Sequence, residues 1–382
     1  MKKIGILGST GSIGSQCLEI IKEHPQEFNL VFIAANTNSD KLIEQAKYFK
    51  PKYVCLANKN EYFKIKSSLS NSIILSGMED MHNLCVDSKP DIILNAISGY
   101  KGLSLSAKIL ENGIDLALSN KESIVQAGDL LVNLSKKYGS NIFPVDSEHS
   151  ALWQCIIGEK KNNIKRIILT GSGGPFRTFP IEKLQYVTKE DALKHPNWKM
   201  GKKITIDSAT MMNKGFEVIE AFWLFNISYD KIDIVIHQES IIHSMIEYID
   251  GSIKAQLSEP NMRMPIQFAL TYPERLKTES DNFDFIKNHT LHFEKVDYNK
   301  FPCIQLAYEA GRKKGTYSTV LNVANDLSVE LFLKDKIKFI DIPLIIENCL
   351  SKHDSINNPN LDDIYNTIYW TEQNFKKELV NL

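Results

Sequence analysis

The feature that most restricts the fold comes first in the chain. Residues 3–8, KIGILG, form an apolar strand that runs directly into Gly8-Ser-Thr-Gly11-Ser-Ile-Gly14, and an amphipathic pattern through Cys17, Leu18, Ile20 and Ile21 comes next. Strand, glycine turn and helix in that order are the context in which a dinucleotide pyrophosphate meets bare backbone at a helix start. The spacing is GxxGxxG, a variant of the commoner GxGxxG, and a plain glycine-rich turn would satisfy it too. The downstream pattern narrows the choice: it predicts strands over 29–35, 52–57, 72–75, 91–95 and 114–117 and helices over 39–49, 59–68, 101–111 and 120–137. Such alternation predicts an α/β fold opening with a doubly wound, mostly parallel, Rossmann-like sheet.

The second strand ends in Ala34-Ala35-Asn36-Thr37-Asn38, where an NAD enzyme usually carries an acid for the ribose hydroxyls. No acid stands there, which favours NADP. The basic residue expected to meet a 2′-phosphate is also missing, and the nearest cation in sequence is Lys41. Neutral donors from Asn36, Thr37, Asn38 and Ser39 are the alternative.

Composition excludes several classes. A formal charge of −1 over 382 residues gives no field that would draw in nucleic acid or an anionic membrane. No apolar run is long enough to span a bilayer. A strand beginning at Lys3 leaves no room for a leader, so a cytoplasmic enzyme is expected. The six cysteines, at 17, 55, 85, 155, 303 and 349, show no metal spacing and read as reduced structural thiols.

Polar residues then recur at the ends of apolar runs. Ser119-Asn120-Lys121-Glu122 comes after residues 114–117, where ligands of open α/β sheets collect. Asp146-Ser147-Glu148-His149 comes after a strand over 141–145; if extended, Asp146 and Glu148 face one side, and two carboxylates aimed together need a cation or a proton between them. Alone, such a pair is also ordinary surface decoration. A third strand, IKRIIL over 164–169, enters Thr170-Gly-Ser172-Gly-Gly-Pro, a loop whose backbone can approach an oxyanion. His195-Pro-Asn-Trp198-Lys-Met-Gly201 suggests a lid. In ITIDSATMMNKGFEVIEAFWLF, residues 204–207 suggest a strand and Ser208 an N-cap, with Asn213, Lys214 and Glu217 on the following helix. Serine, asparagine and lysine suit a phosphate; a glutamate suits a hard cation. Mid-helix Gly215 points to a close backbone approach.

KIGILGSTGSIG, SNKES, PVDSEH, LTGSGGPF, HPNWKMG, IDSATMMNKGFE and SEPNMRMP, in this order and spacing, resemble the 1-deoxy-D-xylulose 5-phosphate reductoisomerase family of the non-mevalonate isoprenoid pathway, over essentially the whole chain. The resemblance implies NADPH- and metal-dependent rearrangement and reduction of that sugar phosphate to 2-C-methyl-D-erythritol 4-phosphate. It implies Asp146, Glu148 and Glu217 as ligands of one Mg2+ or Mn2+ ion. Ser147, Glu148, Ser172, His195, Trp198, Ser208, Asn213, Lys214 and Glu217 become substrate contacts. Gly8, Thr10, Gly11, Ser12, Ile13 and Gly14, with Asn36, Thr37, Asn38, Asn120, Lys121, Glu122 and Gly201, become cofactor contacts. Lys121 and Glu148 are the candidates for proton handling.

The expected domains are 1–145 (NADPH-binding), 146–271 (metal and substrate, with a flap near 194–202), a connector over 272–298, and a helical bundle over 299–382. A homodimer is implied as well. Two alternatives stand beside this reading: a dehydrogenase with a catalytic cysteine, and a catalytically silent NADP-binding relative.

Overall fold

The computed structural model describes residues 1–195, 197–198, 200–279, 283–287 and 290–378. The chain divides into two compact units: Met1–Ser123 with Leu131–Ser150 and Asn261–Ser280, and Ile124–Leu130 with Ala151–Pro260 and Asp281–Leu382.

The first unit holds seven strands, β1 (Lys2–Leu7), β2 (Phe28–Ala35), β3 (Tyr53–Leu56), β4 (Ile73–Ser76), β5 (Ile92–Asn95), β6 (Asp115–Leu118) and β7 (Ile142–Pro144). They form one sheet in the order β4-β3-β2-β1-β5-β6-β7, every neighbouring pair parallel. Between them run α1 (Ser12–Glu23), α2 (Ser39–Phe49), α3 (Tyr62–Ser68), α4 (Met78–Asp87), α5 (Leu103–Glu111) and α6 (Lys121–Tyr138); α7 (Ser147–Ile156) comes after β7. Strand order reverses at β1, so the glycine turn lies at the switch point where open sheets bind ligands. Ile4, Ile6, Ile33, Val54, Leu56, Ile92 and Leu94 are buried, as a sheet covered on both faces requires. The sequence pattern predicts nothing over 78–87, where α4 buries Met81, Leu84 and Cys85.

Several boundaries differ from expectation: Ile124–Leu130, expected in the NADPH-binding domain, falls in the second unit, and the expected 272–298 connector is divided between the two units. Residues 146–150 stay with the first unit, and so does α11 (Arg263–Thr271), expected in the metal and substrate domain. For α11 the cause is side-chain pairing back to the chain start: Arg263 bonds Glu19 at 2.9 Å and also pairs with Glu23, and Lys2 Nζ donates to the Leu270 carbonyl at 2.9 Å.

In the second unit a mixed sheet has the order β11-β10-β8-β9-β12, from β8 (Ile164–Gly171), β9 (Ile232–Ile236), β10 (Ile242–Tyr248), β11 (Ile253–Leu257) and β12 (Glu294–Lys295). Short α8 (Lys189–Ala192) and then α9 (Lys202–Ala209) and α10 (Met212–Phe225) lie between β8 and β9. The bundle is α12 (Pro302–Lys313), α13 (Tyr317–Leu333), α14 (Asp341–Ser351) and α15 (Leu361–Glu378). It is not separate from the sheet. Phe216 and Ile219 of α10 share one core with Ile304, Leu321 and Ile346. Gly215 explains the intimacy: a Cβ there would stand 2.6 Å from the Ala307 Cβ, so only glycine lets α12 come this close.

Residues 204–207 are helical, not extended, and Ser208 sits in the last turn of α9 rather than capping α10. Short β-branched apolar runs carry no decisive period. Here an i,i+4 pair, Lys203 Nζ to Asp207 Oδ2 at 2.9 Å, and the Thr205 hydroxyl bonded back to the Gly201 carbonyl at 2.8 Å hold the helix. Met211, at φ 60°, makes the break before α10. Among the described residues no helix is long and apolar enough to cross a membrane.

Candidate active site

In the first unit the glycine turn is shaped by close backbone approach. Gly8 has φ 85°, and a Cβ on it would lie 2.6 Å from the Ala96 carbonyl oxygen; one on Gly14 would lie 2.5 Å from the Ser9 Cα. Gly11 caps α1 without a side-chain hydrogen bond, and Thr10, Ser12 and Ile13 complete the turn at a helix N-terminus, where backbone N–H groups and the dipole favour a pyrophosphate. The residues fit a dinucleotide.

Asn36, Thr37 and Asn38 form the exposed link from β2 to α2. The Asn38 side chain is engaged in capping α2, accepting from the Lys41 amide at 3.1 Å. Asn120 is likewise an N-cap: Oδ1 accepts from the Ser123 amide at 2.8 Å while Nδ2 donates to the carbonyls of Ile97 and, at 3.0 Å, Gly99. Asn120 therefore fixes the loop after β5. Glu122 stands in the first turn of the helix that Asn120 caps.

Lys121 Nζ lies 2.5 Å from Asp146 Oδ2, both groups nearly buried. The extended arrangement expected for 146–148 is not found, because α7 begins at Ser147. Asp146 and Glu148 approach through helix capping instead: the Glu148 amide donates to Asp146 Oδ1 at 3.2 Å, and the Ser147 hydroxyl donates to Glu148 Oε2 at 2.6 Å. Buried His149, which the sequence left without a role, places Nδ1 3.4 Å from Asp146 Oδ1. Burial pushes the Asp146 carboxyl up, but the Lys121 ammonium and His149 outweigh it and hold the group well below the usual carboxylate range. Asp146 is thus kept in the ionised form that a hard cation requires.

The second unit gathers its own set around the glycine loop after β8. A Cβ on Gly171 would be 2.9 Å from Lys214 Cε, and one on Gly174, at φ 66°, 2.6 Å from the Ser208 carbonyl oxygen. Bare backbone therefore lets the loop that carries Ser172 lie against the Lys214 side chain on one side and the Ser208 carbonyl on the other. Ser172 Oγ accepts from the Gly174 amide at 3.2 Å and lies 3.2 Å from His195 Nε2. On α10, Asn213 Nδ2 donates to Glu217 Oε1 at 2.6 Å and the Lys214 ammonium pairs with Oε2; Lys214 and Glu217 are both buried.

The described part of the segment expected to form a flap is attached at identifiable points, with Pro196 and Lys199 outside the described residues. His195 Nδ1 accepts from the amides of Asn197 at 3.2 Å and Trp198 at 3.0 Å, so the neutral ring carries its proton on Nε2, toward Ser172. Burial pushes this imidazole down to about 4 from 6.5. The unfolded ring takes up a proton near 6.5 and the folded one resists until about 4, so the residue's share of stability is lost as pH falls through that window. Replacing His195 by asparagine is expected to slow turnover without moving the acid limb of the rate profile between about pH 5 and 8. A limb that vanished with the imidazole would contradict a neutral role. Gly201 caps α9 in open space, with no close contact demanding glycine.

Sequence reasoning missed His243. It is buried on β10, its ring 6.4 Å from that of Trp198 and its Nε2 2.9 Å from Ser258 Oγ. A lone histidine in an apolar strand carries no signal of such a neighbour.

Family models described as the 1-deoxy-D-xylulose 5-phosphate reductoisomerase domain, a C-terminal domain of that enzyme, and a further DXP reductoisomerase C-terminal domain match residues 4–128, 142–225 and 257–374. A reductoisomerase of this name from Chloroherpeton thalassium is 48% identical over 95% of both chains, and one from Thermoanaerobacter pseudethanolicus 49% identical over 96% of both. The solved enzyme from Zymomonas mobilis, in complex with NADPH, superposes with a TM-score of 0.94 at 37% identity over all of both chains. A DOX-P reductoisomerase in complex with NADPH, fosmidomycin and magnesium superposes at 0.93, with 37% identity over 99% of this chain and 98% of that one. With matching models across most of its length and close relatives over nearly all of it, the chain belongs to the 1-deoxy-D-xylulose 5-phosphate reductoisomerase family.

Proposed function

We propose that this chain converts 1-deoxy-D-xylulose 5-phosphate to 2-C-methyl-D-erythritol 4-phosphate, using NADPH and one divalent cation, Mg2+ or Mn2+. The observation that carries the reading is the glycine loop after β8: bare backbone at Gly171 packs against Lys214 and at Gly174 against the Ser208 carbonyl, with Ser172 between them. Two hydroxyls and a buried ammonium at a glycine loop suit a phosphate monoester.

The cation supplies Lewis acidity at the substrate's carbonyl and neighbouring hydroxyl, and NADPH supplies the hydride. Asp146, Glu148 and Glu217 hold the cation. Ser172, Ser208, Asn213 and Lys214 bind the phosphate and hydroxyls, with Ser147 a further contact. Binding energy taken from the phosphate, remote from the reacting carbons, positions the substrate and closes His195 and Trp198 over it, excluding water. Lys121, released from Asp146, and Glu148 handle protons at the substrate hydroxyls.

The cofactor lies along Gly8, Thr10, Gly11, Ser12, Ile13 and Gly14, past Asn36, Thr37 and Asn38, with Asn120, Lys121, Glu122 and Gly201 nearer its nicotinamide half. A cysteine-dependent dehydrogenase is disfavoured: all six thiols are buried, and burial pushes Cys55, Cys85 and Cys303 up to about 12 and Cys155 to about 11. A silent relative is disfavoured because the chain keeps Asp146, Glu148 and Glu217 together with Ser172, Ser208, Asn213, Lys214 and Trp198.

NADPH oxidation with the sugar phosphate is expected to require Mg2+ or Mn2+, stop with EDTA and run more slowly with NADH. No turnover with any metal would overturn the proposal. A homodimer in the cytoplasm completes the reading. The buried thiols suit a reducing compartment, and β11 is a sheet edge that begins with exposed Ile253, with exposed Ile249 in the turn before it. A monomer mass in sedimentation would contradict the dimer.

A further inference from the structure

The end of β2 lacks the basic residue that an NADP site needs, and the fold brings one from elsewhere in the same unit. Beyond β2 and β3 the two chain segments stay together: the Asn58 amide donates to the Asn36 carbonyl at 3.0 Å. Asn58 then opens the short turn that leads into α3, accepting from the Asn60 amide at 3.1 Å. In the first turn of α3, Lys64 reaches back to the start of α2. Its Nζ donates to Ser39 Oγ at 2.9 Å and lies 2.7 Å from Asp40 Oδ1 and 3.5 Å from Glu61 Oε2. The Ser39 hydroxyl in turn donates to Glu61 Oε2 at 2.9 Å. Ser39 and Glu61 thus fix the ammonium three residues after Asn36, on the side of the sheet end where the adenosine ribose of a Rossmann cofactor binds.

The other nearby cations are placed differently. Lys59 lies over Gly77 at the end of β4, where a Cβ would meet its Cε at 2.5 Å. Lys41 lies in the first turn of α2, with its backbone amide in the Asn38 cap.

We propose that Lys64 is the residue that selects NADPH over NADH in this chain, meeting the 2′-phosphate in place of the cation absent at 36–37. The inference rests on the NADPH reading above. Asp40 is the group a phosphate would displace: its side chain is 84% exposed, and an ion pair that open to water is weak and easily exchanged. Hydrogen bonding to Asp40 raises the Lys64 pKa above the ordinary lysine value, so the ammonium stays charged at working pH.

The test is the dissociation constant of NADPH and of NADH, measured by calorimetry on the full chain without substrate. Lys64→Met is expected to weaken NADPH about tenfold at low ionic strength and to leave NADH within about twofold, Lys64→Arg to recover most of the loss, and Asp40→Asn to tighten NADPH severalfold. Added salt should shrink all of these differences. Equal weakening of both nucleotides would mean a structural role and overturn the proposal. So would an NADPH-specific loss in Lys41→Met with none in Lys64→Met. Wild-type protein that binds NADPH no better than NADH would leave no selectivity to assign and overturn it too. Wild-type protein that binds neither would instead be a failure of the cofactor reading itself, and the proposal would fall with it.

Discussion

Asp146→Asn is expected to lower metal-dependent turnover on the order of a thousandfold, since several kcal/mol of Lewis-acid stabilisation depend on an ionised ligand set. It is also expected to destabilise the fold by about 3 kcal/mol, because Lys121, only 11% exposed, is left without its counter-charge. The pH dependence comes from the direction of the Asp146 shift. The unfolded carboxyl takes its proton near 3.8 and the folded one well below it, so the pair's contribution is present above 3.8 and lost as pH falls through the folded value. The asparagine variant lacks that dependence. Denaturant unfolding at neutral and acid pH, beside NADPH oxidation over a metal titration, measures both effects. Turnover within tenfold of wild type at saturating metal would remove Asp146 from the ligand set.

Lys214→Met is expected to raise KM for the sugar phosphate about a hundredfold while leaving the NADPH dissociation constant within twofold, because the change removes a buried charge-assisted partner of the phosphate. Methionine fills similar volume, so packing against Gly171 is kept. Glu217, 1% exposed, then loses its cationic partner, and the variant unfolds at lower denaturant. Added Mg2+ is expected to restore part of that stability and to stabilise the variant more than wild type. An unchanged KM would sink the phosphate assignment; equal stabilisation by Mg2+ in both proteins would argue against Glu217 as a ligand.

The sequence was most legible where one residue type is demanded by sterics. Gly8 and Gly14 announce a turn that no side chain fits, and Gly215 announces a helix contact, because a Cβ at each would strike a neighbouring atom. The parallel strands were legible too, since a sheet covered on both faces needs unbroken apolar runs such as residues 92–95. Legibility failed at 204–207, where Ile-Thr-Ile favours a strand by propensity and an Asp207 pairing with Lys203 and Asn325 makes a helix. Asn325 is 118 residues away, beyond the reach of any local pattern.

What the sequence determined by itself is the set of chemical groups: the carboxylates of Asp146, Glu148 and Glu217, the hydroxyls of Ser147, Ser172 and Ser208, Asn213, Lys121, Lys214 and a glycine turn, in an order that identifies a family. Tertiary structure alone decided their states and partners. Asp146 stays ionised because Lys121 and His149 surround it, His195 stays neutral because burial disfavours its charged form, and Lys64 reaches the start of α2 from another helix. The division has one physical reason. Residue type and local spacing are written along the chain, whereas charge state and hydrogen-bond partner depend on burial and on neighbours that only folding brings within a few ångströms.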